Sequence, residues 1–175
     1  MKKLILFVSF FIAPIVGFGQ NTFDKFEDNE DVTSVIVTEK MFDLMSKVKV
    51  DPKDKEMQQY LNLLKKLDDL KVFTTNKTSV ASEMKTAVGT YLKTNPLDEL
   101  LRVNSDGKNV TINVKTLENS SLVKELLMFI ESDKKDTPTV ILSLKGEFNL
   151  EELTSLTDRM NLPGKAELEK ASKQK

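Results

Sequence analysis

A chain of 175 residues with 26 basic and 27 acidic side chains carries a net charge of −1 and has no histidine, cysteine or tryptophan. The missing imidazole removes Ser-His-Asp and Cys-His catalysis and the usual zinc and copper ligand sets, and the missing thiol removes Cys nucleophiles, thiolate metal sites and redox pairs. The near balance of charge excludes the one-sided basic surface that nucleic acid demands, and it supports no polybasic membrane patch.

The chain opens on the pattern of a secretory leader. Lys2 and Lys3 form a positive start, Leu4 to Val16 is an apolar run broken only by Ser9 and Pro14, and Gly17 and Gly19 place small residues before Gln20. This spacing predicts a signal peptide over residues 1–19, cleaved after Gly19. The apolar run is short for a membrane span, and no Cys stands at the cut to take a lipid. The expected product begins at Gln20, is exported through the inner membrane to the periplasm or secreted, is not a lipoprotein and inserts in no membrane.

Next come Phe23 and Phe26, three apart in an acidic stretch, expected to dock two rings on the core. Val32 to Val37 is β-branched at nearly every position and reads as a buried strand. Thr38 can cap a helix whose apolar residues are Met41, Phe42, Met45 and Val48. Asp51-Pro52 breaks it and starts a second helix with the stripe Met57, Tyr60, Leu61, Leu64 and Leu67. Leu70 to Thr75 is a second strand. A third helix is expected from Thr78 to Lys93, with Val80, Met84, Ala87, Val88, Tyr91 and Leu92 on one face and Asn95-Pro96 as its end.

The period then changes to two. Leu101 and Val103, then Val110, Ile112 and Val114, flank Ser105-Asp106-Gly107-Lys108, a hairpin signal. Val123 to Glu131 is ambiguous, because its apolar residues suit a helix as well as a strand. Pairing it across a turn at Asp133–Asp136 with the strand Thr139 to Leu144 makes a second hairpin, the favoured reading. Gly146 is expected to close that strand. Asn149 and Glu152 form a capping-box pattern before Leu150, Leu153, Leu156 and Met160. Pro163-Gly164 stops that helix, and a charged tail over 165–175 is expected to fray.

The resulting order predicts one domain over residues 20–164, an α+β fold of two layers, with a mixed, mostly antiparallel sheet and helices packed on one face. No motif in it names a catalytic, cofactor-binding or metal-binding residue, and no cofactor is expected. Ser121-Leu122-Val123-Lys124 has the Ser-x-x-Lys spacing of penicillin-binding proteins, but the same spacing begins at Ser46, Ser82, Ser105, Ser132 and Ser172, and no Lys-Thr-Gly follows. Asp24, Glu27, Asp28, Glu30 and Asp31 lack the glycine and alternate spacing of a calcium loop, so they read as a solvated acidic segment, and Glu131, Asp133 and Asp136 read likewise. Asn76, Asn109 and Asn119 begin sequons, relevant only in a host that glycosylates exported chains. Met41, Met45, Met57, Met84 and Met160 are expected to fill the core rather than hold copper.

Thr33-Ser34-Val35-Ile36-Val37 running into Lys40-Met41-Phe42, together with Leu142-x-Leu144-x-Gly146 followed by Leu150 and Leu153, resembles an exported bacterial family catalogued as domain of unknown function 4252. The resemblance spans nearly all of the chain after the leader. It implies a Gram-negative envelope setting, no assigned activity and frequent gene neighbourhood with an extracytoplasmic-function sigma factor. Some relatives are lipoproteins, from which this Cys-free chain departs. The expected function is a non-catalytic binding or protein-interaction module in envelope sensing or maintenance, with an inner-membrane or envelope protein as its partner. The alternatives are a small-ligand or lipid carrier, or a hydrolase using carboxylates or a Ser/Lys pair.

Overall fold

The computed structural model describes residues 22–105, 107–132, 134 and 137–173; the leader over 1–19 lies outside them. After a 3-10 turn at Asp24–Phe26, the order is β1 (Thr33–Thr38), α1 (Glu39–Ser46), α2 (Lys55–Leu64), β2 (Leu67–Thr75), α3 (Thr78–Thr94), β3 (Asp98–Ser105), β4 (Lys108–Thr116), β5 (Val123–Ser132), β6 (Thr139–Phe148), α4 (Leu153–Met160) and α5 (Lys165–Ser172). The strands form one sheet in the order β1-β2-β6-β5-β4-β3. Every neighbouring pair is antiparallel. The α+β expectation holds, and the sheet carries no parallel pair.

The path explains this order. The chain leaves β2 through α3, which packs on β5 and β6, and reaches the far edge as β3. A meander through β4 and β5 then walks back until β6 closes the gap beside β2. Both faces of the middle strands are consequently buried. Val140, Leu142 and Leu144 join one apolar cluster with α1, α2, α4 and α5, while Ile141 joins a second with Phe23, Phe26 and α3. The single-face, two-layer arrangement is therefore corrected: helices cover both faces. The same burial settles Val123–Glu131. It is a strand with an unbroken apolar run, since Leu126, Met128 and Ile130 face one cluster and Leu127 and Phe129 the other.

Other expectations shift in detail. Leu67 begins β2 rather than ending a helix, and α2 starts at Lys55 under Asp54, whose carboxylate accepts a hydrogen bond from the Met57 N–H at 2.9 Å. Thr38 precedes α1 without a side-chain cap. At the C-terminus, Asn149 and Glu152 make the expected reciprocal contact, the Asn149 N–H donating to the Glu152 carboxylate at 2.9 Å. The expected frayed tail is instead α5 as far as Ser172. Leu168 and Ala171, three apart on one helix face, are buried in the larger cluster, and Glu167 holds Lys108 of β4 at 2.9 Å.

Gly146 lies inside β6, where the register shifts on both sides: between Leu67 and Asp69 in β2, and between Val123 and Glu125 in β5. Its φ is +149°, and a Cβ there would stand 2.3 Å from the Lys66 carbonyl oxygen and 2.8 Å from Leu67 Cα. Both obstacles are backbone, so no rotamer change relieves them. Gly146→Ala is expected to destabilise the fold by about 2–4 kcal/mol, the sum of a strained backbone and local overpacking, read as a lower urea midpoint with an unchanged slope.

Candidate interaction surface

An antiparallel sheet leaves two edges, and the two here differ. β3 carries Asp98, Glu99 and Arg102, and its register shifts between Glu99 and Leu101. The Arg102 guanidinium also pairs with Glu99 on the strand. Charge and a bulge are the usual protections of a strand edge against further pairing. β1, Thr-Ser-Val-Ile-Val-Thr, has neither. It contains no charge, proline or glycine, and its six residues pair with β2 without a shift, from Thr33↔Thr74 to Thr38↔Asp69.

Solvent reaches this unguarded edge and the helix after it. Among the described residues the exposed large apolar side chains are Val35, Ile36, Met41, Leu44 and Val48, 39% to 59% accessible, all within fourteen residues of sequence. Met41, Leu44 and Val48 follow helical spacing, so α1 and the turn after it present an outward apolar stripe. Phe42 on the other side is fully buried. The core-filling expectation for the methionines therefore fails at Met41, and Val48 also faces outward. Met84 is buried, while Met45, Met57 and Met160 pack against the core from partly exposed positions. The sequence signal for this surface was present as two apolar sets on one short helix, 41/44/48 and 42/45, of which only one fits against a sheet.

The segment before β1 is strapped to the α3 face of the sheet. Phe26 lies 5.9 Å from the Phe73 ring and Phe23 lies 5.0 Å from Tyr91. Lys71, whose side chain is 13% accessible, donates to Asp24 at 2.8 Å and to Glu27 at 2.6 Å. Burial alone would lower the Lys71 pKa, but its bonds to Asp24 and Glu27 outweigh it and hold the ammonium above its ordinary 10.5. The Ser34 hydroxyl donates to the Glu27 carbonyl and the Thr75 hydroxyl to the Asp31 carbonyl. Of the acidic stretch singled out in the sequence, Asp24 and Glu27 are thus ion-pair partners. No group of acidic residues among those described is arranged to hold a metal ion.

Beside this strap, the registers Glu125↔Lys145 and Lys145↔Asp69 set charges of alternating sign across β5, β6 and β2. Tyr91 of α3 donates its hydroxyl to Glu125, and the Lys145 ammonium sits 6.0 Å from the Tyr91 ring. Burial, with the Glu125 charge and bond adding to it, raises the Tyr91 pKa, so the phenol stays a donor. Burial also raises the Asp69 carboxyl, against the opposing pull of Lys71 and Lys145. These groups close on one another and pin the end of α3 to the sheet.

The remaining motifs are scattered. Ser121 is an exposed turn residue and Lys124 an exposed strand residue. Asn76 and Asn109 are exposed, and Asn119 is exposed with a φ of +55°. A cleft of about 220 Å³ at the start of α3 is lined by Thr75, Lys77, Thr78, Lys134 and Thr139 among others. A second, of about 270 Å³, holds Lys108, Glu167 and Lys170. No helix among the described residues is long and apolar enough to cross a membrane.

The fold and surface define an α+β domain whose antiparallel sheet is covered on both faces, guarded at one edge and open at the other. A family model described as Domain of unknown function (DUF4252) matches residues 26–156, and the chain belongs to that family. The match runs from Phe26, at the end of the 3-10 turn, into the first turn of α4 and so includes the whole open edge. Comparison with curated proteins and with solved structures found no match.

Lys71→Met leaves two carboxylates without their cation and is expected to cost about 1–3 kcal/mol at neutral pH. A group raised above its unfolded value stabilises fully below that value and loses its contribution as pH climbs through the folded one. The deficit of Lys71→Met should hold from pH 7 to 9 and shrink above pH 10.5, as read by urea unfolding at each pH.

Proposed function

We propose that this chain is an exported, non-catalytic protein-interaction module of the bacterial envelope, and that it takes its partner on the edge formed by β1 and α1. The observation that carries the reading is the confinement, among the described residues, of the exposed large apolar side chains to Val35–Val48, on and directly after the sheet edge without charge or bulge. Strand addition supplies affinity through main-chain hydrogen bonds, and the Met41, Leu44 and Val48 stripe supplies an apolar contact beside it. The leader pattern of residues 1–19 supports a periplasmic or secreted location without a lipid anchor, and a place near envelope sensing or maintenance is what the family resemblance implies. The want of histidine and cysteine supports a role without imidazole or thiol chemistry. An inner-membrane or other envelope protein is the partner this setting offers; the balanced charge speaks against nucleic acid.

The test is a crosslinked pull-down of the tagged chain from its native envelope, with an unrelated periplasmic protein of similar charge as control. A specific protein should be enriched, and lost when Ile36→Lys or Leu44→Lys is the bait. Both positions are exposed, so each variant should keep its stability within about 0.5 kcal/mol. Enrichment indifferent to both substitutions, or saturable turnover of a cell-wall or ester substrate, would sink the reading. The recovered native bait should begin at Gln20 by intact mass and partition with periplasmic markers.

A further inference from the structure

We infer that the cleft at the start of α3 binds a phosphoryl group, held between the first turn of that helix and the hydroxyl of Thr139. The site is separate from the β1 edge, and the two readings stand or fall independently.

α3 runs for 17 residues, and its N-terminus carries no side-chain cap. Lys77 holds the N-cap position, where an oxygen-bearing side chain ordinarily accepts from the first-turn amides, and no acidic residue lies in that turn. The N–H groups of Thr78, Ser79 and Val80 therefore find no acceptor within the helix, at the positive end of its dipole. An uncapped helix start alone names no ligand, since water can serve it.

The second observation comes from the sheet. Thr75 and Thr139 are cross-strand partners on β2 and β6, and alternation from Phe73 and Ile141 turns both toward the α3 face. Both are buried, at 3% and 4% accessible. The Thr75 hydroxyl is used twice, donating to the Asp31 carbonyl at 2.8 Å and accepting from the Lys77 N–H at 3.1 Å. The Thr139 hydroxyl has no hydrogen-bond partner among the described residues, although Thr139 lines the cleft. A buried hydroxyl is seldom left unpaired, because its lost hydration then goes uncompensated.

An anion with several oxygens answers the helix amides and the hydroxyl together. The rest of the cleft agrees with it. Thr78 and Thr137 bring further hydroxyls, Lys77 and Lys134 bring positive charge, and none of the described residues that line it is acidic. Asp31, 3.7 Å from the Lys77 ammonium, is exposed, and Asp133 and Asp136 of the β5–β6 turn lie outside the described residues. A planar carboxylate has two oxygens, whereas the donors here come from a helix start, a strand and two lysines; a tetrahedral phosphate offers each of them an acceptor. The volume of about 220 Å³ leaves room for a substituent, so the ligand class is a phosphate monoester, either soluble or the headgroup of a lipid.

Chain purified from an exporting host and titrated with inorganic phosphate should show saturable shifts in nitrogen–proton NMR spectra, centred on the Thr78, Ser79 and Val80 amides. Thr139→Val should weaken binding about tenfold or more, as for a lost hydrogen bond to a charged group, and Thr139→Ser should restore it. Since the hydroxyl has no protein partner, Thr139→Val should leave the urea midpoint unchanged or raise it. Lys77→Gln should weaken binding about threefold and flatten its dependence on salt. Flotation with phosphatidylcholine vesicles containing phosphatidic acid separates the sources. Vesicles held through Thr139 assign a lipid headgroup; vesicles ignored beside saturable phosphate binding assign a soluble monoester.

No saturation up to about 10 mM phosphate together with no vesicle binding would overturn the inference. So would binding indifferent to Thr139→Val, shifts centred away from the first turn of α3, or a lowered urea midpoint for Thr139→Val, which would show the hydroxyl already engaged. Ile36→Lys should leave phosphate binding intact, so loss of partner capture at β1 and loss of the anion site are read apart.

Discussion

The structure depends on β6 lying between β2 and β5. Until that strand arrives, β2 has only β1 beside it and the meander has a second open edge; once it arrives, a strand from early in the chain and one from late in it share one sheet. Filling the gap buries β6 on both sides, and a doubly buried strand demands cover on both faces. The helices before β2 and after β6 meet that demand on one face. On the other it falls to α3 and to the two phenylalanines of the strap. Gly146 marks the cost of the insertion. Both neighbouring strands change register there, and the Lys66 backbone comes too close for any side chain.

Cover on the faces says nothing of the edges, and there the molecule is asymmetric. β3 has a bulge and charge, as expected of a strand that must remain last in its sheet. β1 has a strap that runs beside it and stops short of covering it. Lys71 and the two tilted ring contacts hold the acidic segment over β2, and Ile36 on that face stays in solvent. The clamp and the open edge are one arrangement, since a strap docked further out would occupy the place of the next strand. Natural sheets seldom leave an uncharged, β-branched edge without use for it, and the apolar stripe on α1 lies next to it in sequence.

The charged groups on the α3 face illustrate how polar residues inside a fold can mimic a site. Tyr91, Glu125, Lys145 and Asp69 come from four elements and share one patch, with two pKa values raised by burial. Each partner in it is another member of the patch or of the strap. A phenol held protonated and bonded to a carboxylate is a means of attaching a helix to a sheet with direction as well as area.

Much of this was legible in the residues. The strands and helices follow from periodicity and breakers, as at Asn95-Pro96 and at Gly107 between β3 and β4, because those signals are local. The resemblance carried by Thr33–Phe42 and Leu142–Leu153 led to the family, and the match covers both. What stayed ambiguous was Val123–Glu131, whose unbroken apolar run is a helix or a strand until something is known of both its faces. Leu168 and Ala171 were too few among charges to announce α5, which exists because the sheet offers them a place. The sequence by itself determined the class of the fold, the order of most of its elements and the absence of imidazole and thiol chemistry, since each depends on residue type or short spacing. Only the tertiary structure decided that helices lie on both faces, that Met41 looks outward while Phe42 looks in, and that β1 is the open edge. Those outcomes depend on which strands become neighbours across 64 to 79 residues of chain, from Thr75↔Thr139 to Leu67↔Gly146, and no local pattern records that.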